Sequence, residues 1–444
     1  MLLNMRGGAR ICVPSTIELM TPYVLLEQDD WFEEEIQFVR KALRTGQRAI
    51  DIGANYGVYS VALAGAVGAS GRVWSVEPAA AAADLLAETM QLNRMPQGVL
   101  IRGAVSDRTG SALLRTGEHS ELNALTDSAA DGVAVPAWTL DDLARQHGCQ
   151  RIDFVKIDAE GHEARILEGA PAFLQTESPL VMFEIAAGAK RNFAVEDRLR
   201  AAGYGIFRLI PGPGLLAPLG PGERMDSFLL NLFACKADRA ERLEQEGLLT
   251  RDEGNTASTD ADDPLESYRV SRDTGLPPGE RYQRLRAARG QASDVFNILP
   301  SLPALLTYAR VVLDLGLRSL AVQSVRIAQS LVAERWQEIA DMPFLSPMAR
   351  FDAIPFAGAE RAWLDCVLVE SELALSEYST FFTGARDLPK VEFLGGNPLR
   401  GPETERRRQL MRMRAGLQQR LEAHALVVTA SERNLNPGFW QSFS

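Results

Sequence analysis

The run Lys156-Ile-Asp158-Ala-Glu160-Gly-His162 places four ionisable side chains within seven residues. It follows Ile152-Asp-Phe-Val, so the whole reads as a near-continuous apolar strand of the kind covered on both faces, turning polar at its end. Side chains alternate along a strand, which puts Lys156 and Asp158 on one face. Ligands of open α/β sheets sit at the carboxyl ends of the strands. Asp158 there can act as a base toward a hydroxyl proton, with Glu160 or His162 in the following turn, and a positioned base contributes ~10²–10⁴-fold to rate. The plainer alternative is that Asp158 caps a helix starting near Gly161.

A second set lies upstream, in Ala49-Ile-Asp51-Ile-Gly53-Ala54-Asn55-Tyr-Gly57. An apolar run ends in Asp51, Gly53 allows a tight turn with no Cβ in the way, and a helix starts near Gly57. Amide groups at such a helix start suit a carboxylate. The Gly-x-x-x-Gly spacing is not the Gly-x-Gly-x-x-Gly of pyrophosphate sites, which argues against a nicotinamide dehydrogenase. Glu77, followed by Pro78, ends the next apolar run about 20 residues on, where an acidic side chain can accept both ribose hydroxyls. Ala104 and Val105 follow the third run, where main-chain groups meet an adenine edge. A ligand with a carboxylate, a ribose and an adenine but no pyrophosphate is S-adenosyl-L-methionine. Taken singly, Asp51 reads equally as a cap and Glu77 as a solvated carboxylate.

These residues need a scaffold that brings several strand ends together. The sequence predicts strands at 48–52, 72–77, 98–103, 152–158, 180–185, 205–210 and 227–234, with helices at 58–65 and 80–92 between the first three. That βαβαβ pattern is the nucleotide-binding half of a doubly wound fold. Residues 106–150 are long for one connection, and Gly132-Val-Ala-Val-Pro136 alternates, so an inserted hairpin is expected there. After Cys235 the character changes. Residues 251–264 are acidic and free of aromatic side chains, too polar to offset their ordering entropy. The expected division is 1–245 as a self-sufficient cofactor-binding domain, 246–295 as an acidic polar linker, and 296–444 as a helical accessory domain. Helices are predicted at 302–315, 317–336, 360–382 and 403–425, with only a faint likeness to one tetratricopeptide helix pair and no sustained repeat. Arg406-Arg407-Arg408 reads as a solvated helix face.

The ordered motifs resemble those of FkbM-type methyltransferases over about residues 20–235: Asp51-Ile-Gly-Ala-Asn-Tyr-Gly57, Glu77-Pro78, Asn93, Ala104-Val-Ser-Asp107, Thr139-Leu-Asp-Asp-Leu143, Lys156-Ile-Asp-Ala-Glu-Gly-His-Glu163, Leu167-Glu-Gly169 and Phe183-Glu-Ile185. The resemblance implies a class I methyltransferase α/β fold, a doubly wound, mostly parallel seven-stranded sheet with its last strand antiparallel. It also implies O-methylation of a hydroxyl group, often on sugars of glycans or on polyketide hydroxyls, with a saccharide or glycan precursor the expected acceptor. The loop around His119 follows no pattern of the family.

Composition narrows the partners. A net charge of −11 disfavours nucleic acid, whose binding needs many cations to displace phosphate counterions. The apolar stretch 311–332 is broken by Asp314, Arg318 and Arg326, so no membrane span is expected. The expected acceptor is a small molecule or glycan; homodimerisation stays open. Cys12, Cys149, Cys235 and Cys366 form no CxxC pair and read as free thiols, and with no secretory signal a cytoplasmic location is expected. His119, His147, His162 and His424 lack metal-ligand spacing, so no metal is expected. The competing reading is a non-catalytic cofactor-binding scaffold acting through its helical half.

Overall fold

The computed structural model describes residues 1–115, 124–126, 132–187, 190–191, 193–220, 223, 225–252, 263–397, 399 and 401–417. His119, His424 and the polar tract 253–262 lie outside the described residues.

Two short antiparallel strands, β1 (Leu2–Asn4) and β2 (Arg10–Cys12), precede helices α1 (Met20–Gln28) and α2 (Glu34–Ala42). The predicted alternation then appears: β3 (Arg48–Ile52), α3 (Val58–Val67), β4 (Arg72–Glu77), α4 (Ala80–Leu92) and β5 (Gly98–Arg102). The inserted segment is a four-stranded sheet rather than a hairpin alone, built from β6 (Ala104–Val105), β7 (Gly110–Arg115), β8 (Ala124–Thr126) and β9 (Gly132–Trp138). Next come α5 (Leu140–His147), β10 (Phe154–Ile157), α6 (Glu163–Glu168), α7 (Pro171–Thr176) and β11 (Leu180–Glu184). A small ribbon, β12 (Ala186–Ala187) with β13 (Lys190–Arg191), leads to α8 (Phe193–Ala201), β14 (Gly205–Ile210), β15 (Leu215–Pro218), β16 (Asn231–Cys235) and α9 (Ala237–Gln245).

The main sheet runs β15-β14-β16-β11-β10-β3-β4-β5. Its pairs from β11 to β5 are parallel, and β16 is antiparallel to both β11 and β14. This is the class I methyltransferase order, doubly wound about β3, with the expected antiparallel last strand. An eighth strand, β15, adds antiparallel to β14 at the edge. Sequence reading missed it because Pro218 sits in it among glycines and prolines. A proline is tolerated on an edge strand, where one side of the ladder is open. Sequence motifs elsewhere prove to be scaffold. Thr139 caps α5 by accepting from the Asp142 amide at 3.0 Å, and Asp141 holds the start of α7 through the Phe173 amide at 2.7 Å. Asn93 ties α4 to β2, its Oδ1 accepting from the Arg10 amide at 2.8 Å.

The helical half comprises α10 (Pro264–Ser271), α11 (Pro278–Ile298), α12 (Leu302–Asp314), α13 (Arg318–Arg335), α14 (Glu360–Ser376), α15 (Leu388–Gly395) and α16 (Pro402–Arg414). The expected linker at 246–295 is therefore corrected: α10 and most of α11 occupy it. Tyr268, Tyr282, Leu285 and Ala288 bury against Ile210, Leu215 and Ala217 of the sheet edge. Helically spaced apolar residues were hidden there among arginines, and Arg281 is itself buried, its donors directed at the Ser271 and Pro213 carbonyls. The solvated reading of Arg406-Arg407-Arg408 is also corrected. Arg406 and Arg407 are buried, paired with Asp29 at 3.1 Å and with Glu27 at 3.0 Å, both from the α1 end of the other half. Glu27 is a buried carboxylate, and such a group demands a cation.

Candidate functional site

A cavity opens at the carboxyl ends of β3, β4 and β10. Gly53, Ala54, Asn55, Glu77, Pro78, Ala104, Val105, Lys156, Asp158 and Glu160 line it. Thirteen residues carry sequence-based site assignments, and ten of them meet here; Asp51, Gly57 and His162 do not reach the wall.

Asp51 lies beneath the floor, fully buried. Its Oδ2 accepts from Ser60 Oγ at 2.6 Å, and that hydroxyl meets Ser75 Oγ at 2.7 Å. Its Oδ1 has no hydrogen-bond partner and lies 3.9 Å from Lys156 Nζ. Burial pushes the Asp51 carboxyl up, against the pull of Lys156 and Ser60. Gly53 has φ 77°, and a Cβ there would lie 1.8 Å from the Asp158 carbonyl oxygen. The glycine thus lets the ends of β3 and β10 touch, a reason different from ligand approach. Gly57, at φ 98°, starts α3 against Leu86.

The amides of Gly53 and Ala54 both donate to the Val76 carbonyl at 3.1 Å. These two bonds fasten the end of β3 to the end of β4; the amides at the α3 start, from Gly57 on, are a separate set. Glu77 organises the rest of the loop: Oε2 accepts from the Asn55 amide and Oε1 from the Ala79 amide, each at 2.8 Å. Burial pushes its carboxyl up to about 7, against those two amides. Asn55 holds an uncommon φ of 47°, and its Oδ1 is buried at the cavity wall without a donor. An unmet acceptor beside a carboxylate fits a ligand that brings hydroxyl and ammonium donors, as S-adenosyl-L-methionine does.

At the end of β10, Lys156 is buried with its ammonium 2.8 Å from Asp158 Oδ2 and 4.9 Å from the Tyr59 ring centroid. Burial works to lower its pKa, but Asp158 and Asp51 outweigh that and hold it protonated. Asp158 does not cap α6. The turn is held by Glu163, whose Oε1 accepts from the Ala159 amide at 2.9 Å and the Gly161 amide at 3.1 Å. Glu160 sits at φ 51° on the wall. His162 turns away, its Nε2 2.8 Å from Ser106 Oγ, into an adjoining polar cleft with Asp107, Arg108 and Arg165. Leu125 lines both spaces.

Sequence reasoning missed two wall residues, Trp31 and Thr21, and two carboxyls, Glu33 and Glu184, that lie within electrostatic reach of Asp158. Glu33 accepts from the Tyr59 hydroxyl, and burial raises its carboxyl despite that bond. Glu184 ends β11 beside β10; burial, then Asp158, Glu160 and Glu163, push it up to about 9. Trp31 and Thr21 close the cavity from the N-terminal segment. Glu184 was within reach, because it too ends a central strand. The others come from a segment with no periodic signature. Among the described residues no group of three or more His, Cys, Asp or Glu side chains is arranged to hold a metal.

Comparison with known proteins gives a family match: residues 51–206 fit the methyltransferase FkbM domain. No curated protein matches the chain. Among solved structures, methyltransferase FkbM from Methylobacillus flagellatus aligns at 16% identity and TM-score 0.30, over 45% of this chain and 50% of that one. This chain thus spans half the length of that protein. Precorrin-6y C5,15-methyltransferase from Geobacter metallireducens aligns at 14% identity and TM-score 0.28, over 46% and 87% of the two chains. A SAM-dependent O-methyltransferase from Thermotoga maritima aligns at 16% and 0.27, over 46% and 64%.

Proposed function

We propose, from the premise that residues 51–206 are an FkbM-type methyltransferase domain with S-adenosyl-L-methionine as its cofactor, that the protein methylates a hydroxyl oxygen of a saccharide or glycan precursor. The observation that carries this reading is the Lys156–Asp158 pair at the cavity wall, 2.8 Å apart. When bound, the cofactor supplies an electrophilic methyl group. A hydroxyl must lose its proton as it gains that methyl, so an oxygen acceptor calls for a positioned base. Asp158 has one carboxylate oxygen fixed by Lys156, which leaves Oδ1 to take the proton. Glu160 borders the same space, and His162 acts from the adjoining cleft by orienting the acceptor. That cleft, with Ser106, Asp107, Arg108 and Arg165, carries the mixed donors and acceptors that a polyhydroxylated ligand requires. Glu77 and Asn55 would hold the ribose and the amino-acid end of the cofactor, with Ala104 and Val105 against the adenine. The test is incubation of glycan extracts with the full chain and isotope-labelled methyl donor, followed by mass spectrometry. A labelled methyl ether on a sugar supports the reading; label confined to nitrogen or carbon overturns it.

Glu77 gives the cofactor site a pH signature. Burial pushes its carboxyl up to about 7, and its ionised form, with both oxygens free to accept, takes the ribose hydroxyl donors more strongly than the protonated form. Binding must therefore expel a proton below that pH. We expect cofactor affinity to fall up to ~10-fold per pH unit on going below 7 and to level off above it. Glu77→Gln should bind more weakly at pH 8 and lose this slope. Calorimetry across pH 5.5 to 8.5 checks it; a slope unchanged in the variant removes Glu77 from the ribose. For folding the sign is opposite to that of a paired carboxylate. The folded state holds the Glu77 proton more tightly than the unfolded chain, so the group costs stability as pH rises from about 4.5 toward 7.

A further inference from the structure

Between the two halves lies a second pocket, separate from the cofactor cavity. Phe32, Glu34 and Glu35 at the start of α2 form one wall, and Leu209, Phe228 and Leu313 form others. Glu33 also borders it, and Arg318 is the lining cation among the described residues. Arg318 is committed elsewhere. Its Nε donates to the Leu375 carbonyl at 2.8 Å, and Nη2 to the Ala374 and Glu377 carbonyls at 2.9 and 2.8 Å. Its guanidinium stacks over Phe228 and Tyr378, 4.7 and 4.8 Å from the ring centroids. Three carboxylates thus share a pocket with one guanidinium, whose Nε and Nη2 are spent on main-chain carbonyls.

Acidic residues in a first helical turn are ordinarily explained by the helix dipole. That suffices for the exposed Glu34. It does not suffice for Glu35, which is 9% exposed and lines the pocket; its own amide and the charge of Arg318 favour the carboxylate, but among the described residues no other residue is recorded in a hydrogen bond or ion pair with it. Burying a carboxylate without a partner is costly unless something else supplies the countercharge. Burial, followed by Glu33 and Glu34, pushes the Glu35 carboxyl up to about 8. The walls opposite the carboxylates are aromatic and aliphatic, which no hydrated metal ion requires. We propose that this pocket binds an organic ammonium ion with a flat apolar body, its cationic head at Glu34 and Glu35 and its body against Phe32, Phe228 and Leu313. The ligand supplies a second cation beside Arg318 for three carboxylates and fills the apolar walls, and the site stands whether or not the methyl acceptor is a saccharide.

The test is calorimetry on the full chain with 2-phenylethylammonium, and with 2-phenylethanol as the neutral probe of equal shape. The ammonium is expected to bind saturably and at least ~10-fold tighter than the alcohol, since a charge-assisted hydrogen bond exceeds a neutral one by about that much. Glu35→Gln should remove that preference. Leu313→Trp, which keeps every carboxylate and fills the pocket, should remove binding of both probes. Equal affinity for the two probes, no saturable heat with the ammonium, or undiminished preference in a folded Glu35→Gln variant each overturns the proposal. Should Glu35→Gln fail to fold, ammonium binding that survives Leu313→Trp overturns it equally.

Discussion

Asp158→Asn is expected to lower turnover by at least ~10² and up to ~10⁴-fold while leaving the fold and the cofactor affinity close to wild type. Asparagine has the same shape and still accepts a hydrogen bond from Lys156, which lies 2.8 Å away, but it cannot take a proton. The side chain is about one-third exposed at the cavity mouth, so its replacement opens no packing defect. The loss should therefore fall on kcat, with the dissociation constant for the cofactor within about threefold, which steady-state kinetics and calorimetry separate. Glu160→Gln should be the next most damaging, since Glu160 borders the same cavity. His162→Ala should be milder and fall mainly on KM for the acceptor, because the ring is bound to Ser106 in the adjoining cleft. Near-wild-type turnover in Asp158→Asn would shift the base to Glu160, which borders the same cavity, or to His162.

Much of this site could be read in the sequence because its residues end strands. Asp51, Glu77 and Asp158 each stop an apolar run, and the parallel register of β3, β4 and β10 carries those stops to one edge. Period and punctuation thus located the cavity. They did not reveal how the polar groups divide their work. Glu77 binds two loop amides as well as facing the cavity, and Gly53 is required by the Asp158 carbonyl. Both are contacts between segments distant in the chain. The same limit explains the misread charges. Arg406 and Arg407 look like any surface arginines until Glu27 and Asp29 are placed opposite them, nearly four hundred residues upstream. Helices α10 and α11 were hidden for a related reason. Their apolar face is narrow, with Tyr268, Tyr282 and Leu285 spread among arginines, and it becomes a core only against the sheet edge at β14 and β15.

Arg407→Ala is expected to cost about 3–5 kcal/mol, the usual result of removing one partner from a buried ion pair. Glu27, on α1, has no exposure at all, and its Oε1 accepts from Arg407 Nε at 3.0 Å, the Thr380 amide at 3.1 Å and Thr380 Oγ1 at 2.5 Å. Ser379 donates to its other oxygen, and Arg407 also reaches Glu403. Desolvation works to raise the Glu403 carboxyl, but Arg407 and Arg350 outweigh it and hold it at about 2. That part of the stability is present above the ordinary glutamate range and is lost as pH falls through the folded value. Without the guanidinium, the hydroxyls and amide remain but a carboxylate stays buried with no cation. The consequence reaches the cofactor, because Met20 and Thr21 at the other end of α1 wall the cavity. Composition suggested that the first 245 residues bind cofactor alone; the packing predicts otherwise. Leu216 exchanges backbone hydrogen bonds with Leu248 and Thr250 at 2.8 Å, so the shortest fair fragment ends at 252. That fragment keeps the sheet but strands Glu27, and it should bind the cofactor at least ~10-fold more weakly than the full chain. Urea unfolding of Arg407→Ala and calorimetry on the fragment measure the two effects. A fragment that binds as tightly as the full chain, together with an Arg407→Ala variant as stable as wild type, would show that α1 is held by the sheet domain alone and that the helical half does not support the cavity wall.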